Sequence, residues 1–188
     1  MSSAPSTQIL PAEVYGVFSD QINQASVQRI FQNLALATNA GVKHAHILFH
    51  STGGLVPDGI ALYNLFRALP IELTLYNPGS VQSIAVIAYL GAKHRKASAN
   101  ATFQIHRTIF TSQAARADQL EVLAEVTHLD DVRTEGILRA HLKLSDKDWD
   151  KFDRAGLMVF SAQDAVKIQM ADELADFSPP QGAKIFNI

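Results

Sequence analysis

The 188-residue chain contains no cysteine. Disulfides, thiolate metal sites and a cysteine nucleophile are therefore excluded. No apolar run approaches the ~20 residues needed to cross a bilayer. Charge is sparse and balanced, with a net of −2, so there is neither a basic field for nucleic acid nor a polybasic cluster for a membrane surface. Residues Met1 to Thr7 are rich in Ser, Ala and Pro. They form neither the charged n-region nor the apolar h-region of a signal peptide, and a cytoplasmic location is expected. G-x-G-x-x-G is missing, and no Lys-Ser/Thr follows a glycine loop, so no nucleotide cradle and no cofactor is expected.

What is present fits one globular domain. Apolar residues make up 47% of the chain, enough for a substantial core. Residues 1–11 read as a flexible lead-in, 12–177 as a single domain, and 178–188 as a tail. Ser178-Pro179-Pro180-Gln181-Gly182 breaks regular structure.

Val14 to Phe18 reads as a first strand. Val27, Ile30, Phe31 and Leu34 recur at i, i+3, i+4, i+7 and predict a helix over roughly 24–38, ended by Asn39-Ala40-Gly41. Ala45 to His50 is a second strand, of the apolar kind found in parallel sheets covered on both faces. Ser51-Thr52-Gly53-Gly54 follows it, then a helix with Pro57 near its first turn and Pro70 at its end. Glu72 to Tyr76 is a third strand. Asn77-Pro78-Gly79 is turn chemistry, and the apolar stretch from Ile84 to Leu90 predicts a helix buried on every side.

Lys93-His94-Arg95-Lys96 begins a short polar strand, and Thr102 to His106 alternates as another. From about 113 to 143 a long helix is expected. Its acidic residues come early and its basic ones late, and its apolar residues do not fall on one stripe, as if it touched something on two sides. Ser145 to Asp148 and Ser161 to Asp164 each have the form of a helix start. Strands alternating with helices predict an α/β fold with right-handed crossovers and a mostly parallel sheet. In such sheets, sites gather where strands end and helices begin.

Three features at strand ends carry chemistry. Ser83 is expected in the first turn of the buried helix, among N–H groups without intrahelical partners and at the positive end of the dipole. A serine there either caps the helix or acts as a nucleophile. Gly53-Gly54 is either a bare turn or a place where a backbone N–H approaches a substrate oxygen. His106 ends the strand that follows the serine helix. Among the other histidines, His46 and His50 have the four-residue spacing of a ligand pair on a helix, and their segment reads as a strand, so no metal site is expected. The nucleophile elbow G-x-S-x-G is absent around Ser83, which argues against an α/β-hydrolase.

In combination these segments resemble the Clp protease proteolytic subunit, a serine peptidase of the crotonase-like superfamily, over roughly residues 14–176. His50-Ser51-Thr52-Gly53-Gly54 resembles the family's Asn-Ser-Pro-Gly-Gly loop. Gly79 to Ala85 is similar to its Gly-x-Ala-Ala-Ser-Met-Gly segment, Gln104-Ile105-His106 to its Met-Ile-His, and Ser161 to Ala165 to its Ser-Ala-x-Glu-Ala.

The resemblance implies a Clp protease/crotonase-type fold of repeated ββα units, with the long helix as a handle between stacked homo-oligomeric rings. It implies a serine endopeptidase with Ser83 as nucleophile and His106 as general base. The N–H groups of Gly54 and Ile84 would form the oxyanion hole. Peptide or unfolded protein would be the substrate, with an ATP-dependent unfoldase as a possible partner. Counting back from Ser161, the family's triad aspartate falls on Leu157, or on Gly156 with a one-residue shift. Neither orients an imidazole, and weak activity is expected. Asp153 is the nearest acid upstream and Asp164 the nearest downstream. Without them, a backbone carbonyl, a water or nothing would stand behind His106. Thr52, Ala85 and Arg107 to Phe110 also depart from the family pattern. An inactive ring subunit is the rival reading. A crotonase-like acyl-CoA enzyme is a third, less favoured because those sites use Glu.

Overall fold

The computed structural model describes residues 12–111, 114 and 116–188, and the expected lead-in, 1–11, lies outside the described residues. Strands β1 (Glu13–Ser19), β2 (His44–His50) and β3 (Glu72–Asn77) lie side by side in parallel. β5 (His94–Ala97) and β8 (Glu173–Leu174) extend the sheet past β3, and β9 (Ile185–Asn187) closes the other edge against β1. The order is β8-β5-β3-β2-β1-β9. The tail was expected to break structure around Ser178–Gly182, and the chain regains regular pairing just beyond it.

Alternation sets the two faces of this sheet. On β2, Ala45, Ile47 and Phe49 are buried in the core, while His44, His46 and His50 point to the opposite, half-exposed face. A strand repeats every two residues. The three histidines therefore share a face, which corrects the reading that only a helix would bring His46 and His50 together.

Helix α1 (Gln24–Asn39) follows β1. Its start is fixed by a reciprocal cap, in which Asn23 Oδ1 accepts from the Ser26 N–H at 3.1 Å and Ser26 Oγ accepts from the Asn23 N–H at 3.0 Å. α2 (Val56–Ala68) follows β2, and α3 (Ile84–Leu90), buried at all seven positions, follows β3.

Between each strand and its helix the chain makes a second extended piece. Ile22 bridges Gly54, Ser51 bridges Val81, and β4 (Ser80–Gln82) pairs in parallel with β6 (Thr102–His106). β7 (Leu157–Ser161) then runs antiparallel to β6. The result is a repeated ββα unit whose short strands form a second layer directly before the helices. The sequence reading passed over β4 as part of a turn and missed β7.

The long helix α4 (Ala117–His141) is anchored only near its end. Within it, only Asp130 and Leu138 are buried, and Leu120, Val122, Val126, Leu129 and Val132 are 50–57% exposed. The expected two-sided apolar pattern is real, and much of it faces outward. α5 (Asp146–Ala155) opens on Ser145 and closes on Gly156 in the left-handed conformation. α6 (Ala162–Lys167) opens on Ser161.

Gly54 sits where the second layer is tightest. Its φ is 155°, and a Cβ built there would lie 1.9 Å from the carbonyl oxygen of Ile22. That carbonyl is itself fixed by the Leu55 N–H at 2.8 Å. Gly54→Ala is expected to destabilise the fold by more than about 3 kcal/mol, since backbone must move to admit the methyl group. Urea denaturation checks this, and an unchanged midpoint would show that the loop yields freely.

Candidate functional site

The β4–β6 register is what places Ser83. Gln82 lies opposite Gln104, and the Ser83 N–H donates to the Gln104 carbonyl at 2.7 Å, one residue beyond the strand. The chain must then turn at once into α3, whose first residue is Ile84. Ser83 makes that turn with φ 57° and ψ −133°. It is one of two non-glycine residues with positive φ among those described, and its hydroxyl makes no capping hydrogen bond. Ser83 therefore precedes the helix instead of lying in its first turn, and it carries backbone strain of about 1–3 kcal/mol.

Room for the turn comes from elsewhere in the chain. A Cβ on Gly53 would lie 2.6 Å from Ser83 Cβ. The same Gly53 carbonyl accepts from the Ile22 N–H at 2.8 Å, and its N–H is held by Ser51 Oγ at 3.2 Å. The glycine next to the serine that an elbow motif would supply is replaced by one from a neighbouring loop. On the far side, Gly59 of α2 leaves space for Ile84, whose Cγ1 would meet a Cβ at 2.3 Å.

Ser83, Ile84, Gly54 and His106 line one cavity of about 90 Å³. Among the described residues, neither the Gly54 nor the Ile84 N–H has a backbone acceptor, so both donors are free at the cavity wall. Its floor is apolar, from Ile87, Ile105, Leu138 and Phe152. Arg107, Thr108, Asp131, Thr134 and Glu135 form a polar side.

His106 ends β6, and its Nδ1 lies 2.6 Å from the carbonyl oxygen of Arg107. A carbonyl only accepts, so Nδ1 carries the proton, and in the neutral ring the lone pair is on Nε2. The residue opposite His106 on β7 is Leu157. Cross-strand partners share a face with Cβ atoms about 5 Å apart, so the position where an orienting acid would stand is occupied by an isobutyl group. Asp153 lies elsewhere in the network, with its Oδ1 on Arg107 Nη2 at 2.6 Å. Asp164 bonds Ser161 and Lys167.

Arg107 is the hub that the sequence reading missed. Its N–H donates to Gly156 at 2.9 Å, and its guanidinium bonds Glu135 and Asp153, both at 2.6 Å, and lies 5.1 Å from the Phe152 ring centroid. Burial opposes ionisation of Glu135, yet hydrogen bonds from Arg139 and Arg107 prevail and hold its carboxyl below the usual range. The next residue is fixed as well, with the Thr108 N–H on Asp131 Oδ1 at 2.7 Å. A single arginine just past the end of an alternating strand gives no local signal of such a role.

No curated protein sequence matches the chain. Among solved structures, a ClpP1 point mutant from Listeria monocytogenes is similar, with a TM-score of 0.74 over 88% of this chain and 92% of that one at 17% identity. That likeness establishes the fold. A model of the Clp protease family matches residues 6–177, taking in the serine turn, the glycine loop, the histidine strand and the handle helix alike. The chain belongs to the Clp protease family.

Proposed function

We propose that this protein is a serine peptidase working through a Ser83–His106 dyad. The observation that carries the reading is Ser83, held at a left-handed strand-to-helix turn with its hydroxyl uncapped, in the same cavity as His106. Strain of this kind gathers at catalytic positions. Ser83 Oγ attacks the scissile carbonyl and its proton passes to His106 Nε2. The carbonyl oxygen takes up negative charge against the N–H groups of Gly54 and Ile84. The C–N bond breaks as His106 returns the proton to the departing amine, and a water repeats the sequence on the acyl-enzyme.

The dyad is slow in this reading. The Arg107 carbonyl holds the ring in the useful tautomer without bringing a negative charge to the imidazolium, and loss of an orienting carboxylate costs up to ~10⁴ in rate. This same feature favours the second reading, an inactive subunit.

A fluorophosphonate is expected to label Ser83 with loss of fluoride. Ser83→Ala should abolish labelling, and Asp153→Asn should leave it within about twofold, since Asp153 serves Arg107. Mass spectrometry checks the site, and well-folded protein that takes no label would sink the dyad and leave the inactive subunit standing.

Leu157→Asp places a carboxylate on the strand position opposite His106. Turnover of a short fluorogenic peptide should rise at least about tenfold, with KM little changed. No rise in a variant that still labels would show that the carbonyl already does what an acid could do there.

The exposed apolar residues of α4 point to self-association, since large exposed apolar patches mark interfaces. Ring-sized homo-oligomers are expected in analytical ultracentrifugation at micromolar concentration, and Leu129→Lys with Val132→Lys should shift them toward monomer. A wild-type monomer would remove the idea.

A further inference from the structure

At the end of the sheet remote from Ser83, three potential metal ligands meet. Glu13 opens β1 and lies in register opposite His44, which opens β2. His46 follows on the same face, opposite Tyr15. One ring nitrogen of each histidine and a carboxylate oxygen of Glu13 all lie within 4.8 Å of one another. The two imidazoles are stacked with centroids 4.1 Å apart, and His46 Nε2 is 3.9 Å from Glu13 Oε2. We propose that Glu13, His44 and His46 form a site for a divalent transition-metal ion of the zinc type, with water completing a tetrahedral shell.

The rings are prepared for this from behind. The Thr74 hydroxyl lies 2.7 Å from His44 Nε2, and the Tyr76 hydroxyl 3.0 Å from His46 Nδ1. Where each hydroxyl accepts from its nitrogen, the other nitrogen of each ring presents a lone pair. Hydrogen bonds of this kind fix tautomer and orientation in metal-ligating histidines. Tyr15 stacks on His46 at 4.9 Å, which further restricts the ring.

Geometry and charge are compatible with an ion. Ligand atoms about 2.0–2.1 Å from a tetrahedral zinc lie roughly 3.3 Å apart, so the three groups, now within 4.8 Å of one another, draw together on binding. The Glu13 side chain is 57% exposed, and its Oε2 accepts from the Tyr15 hydroxyl at 3.0 Å, a bond that metal binding would exchange or share. The nearby cation, Lys96, is already paired with Glu173 at 2.8 Å. Two imidazoles and one carboxylate are a donor set that zinc accepts with a water. The ion would tie β1 to β2 and add stability by mass action.

The test titrates the full, metal-free chain with zinc chloride by calorimetry, and with cobalt(II) by visible absorption. The expected result is one ion per chain, intense tetrahedral cobalt bands, and a thermal midpoint that rises with zinc. His44→Ala, His46→Ala and Glu13→Gln should each weaken binding at least about tenfold, and Thr74→Val by a similar factor. Glu13→Gln changes an exposed side chain, so it reports on the site even where a histidine variant folds poorly. Fluorophosphonate labelling of Ser83 should stay the same in Glu13→Gln, which separates this site from the dyad. No saturable uptake below about 100 µM zinc, or uptake unchanged in all three variants, would overturn the proposal.

Discussion

One hydrogen bond organises the site. The Ser83 N–H on the Gln104 carbonyl carries the β4–β6 ladder a residue past the last paired strand position, to the doorstep of α3. Ser83 passes from strand to helix with a positive φ, where Ser161 makes the same change from β7 into α6 at φ −68°. The rest of the arrangement follows from accommodating that turn. Gly53 has no side chain because Ser83 Cβ occupies the space, and Gly59 has none because Ile84 occupies it. β6 ends two residues later at His106, so the bond that strains the serine also sets its distance along the sheet from the histidine.

The same economy governs the imidazole. In the better-known arrangement a carboxylate orients the ring and stabilises the charge it gains. Here the two duties are separated. The Arg107 carbonyl performs the first at 2.6 Å. The nearest guanidinium, far from supplying the second, is positive and is neutralised by Glu135 and Asp153. An acid added without those partners would face a cation; with them, the local charge is already balanced.

The order of elements was readable in the sequence because the first half of the chain obeys strong local rules. The periodicity of Val27 to Leu34, the turn Asn77-Pro78-Gly79 and the unbroken apolar run of α3 each specify their structure within a few residues. What escaped was non-local. β7 buries only Met158 and Phe160 and leaves Leu157 and Val159 exposed, a pattern too short to stand out beside two helix starts. β9 follows a Pro-Gly segment and has value only because β1 leaves an edge to be paired. The left-handed Ser83 gave no sign in its own neighbourhood, since the glycine that permits it is thirty positions upstream. The histidines of β2 were legible in kind and misjudged in spacing, and the partner that gives them meaning, Glu13, comes from another strand.

Arg107 has a consequence beyond charge. Its carbonyl holds His106, while its guanidinium is fastened to Glu135 on α4 and Asp153 on α5, and its N–H to the cap of α5. The imidazole is thus only as steady as the two helices that grip one side chain. α4 is also the element with the most unburied apolar surface. Whatever settles that helix against a neighbour also sets the mechanical stiffness of the bracket behind the His106 ring.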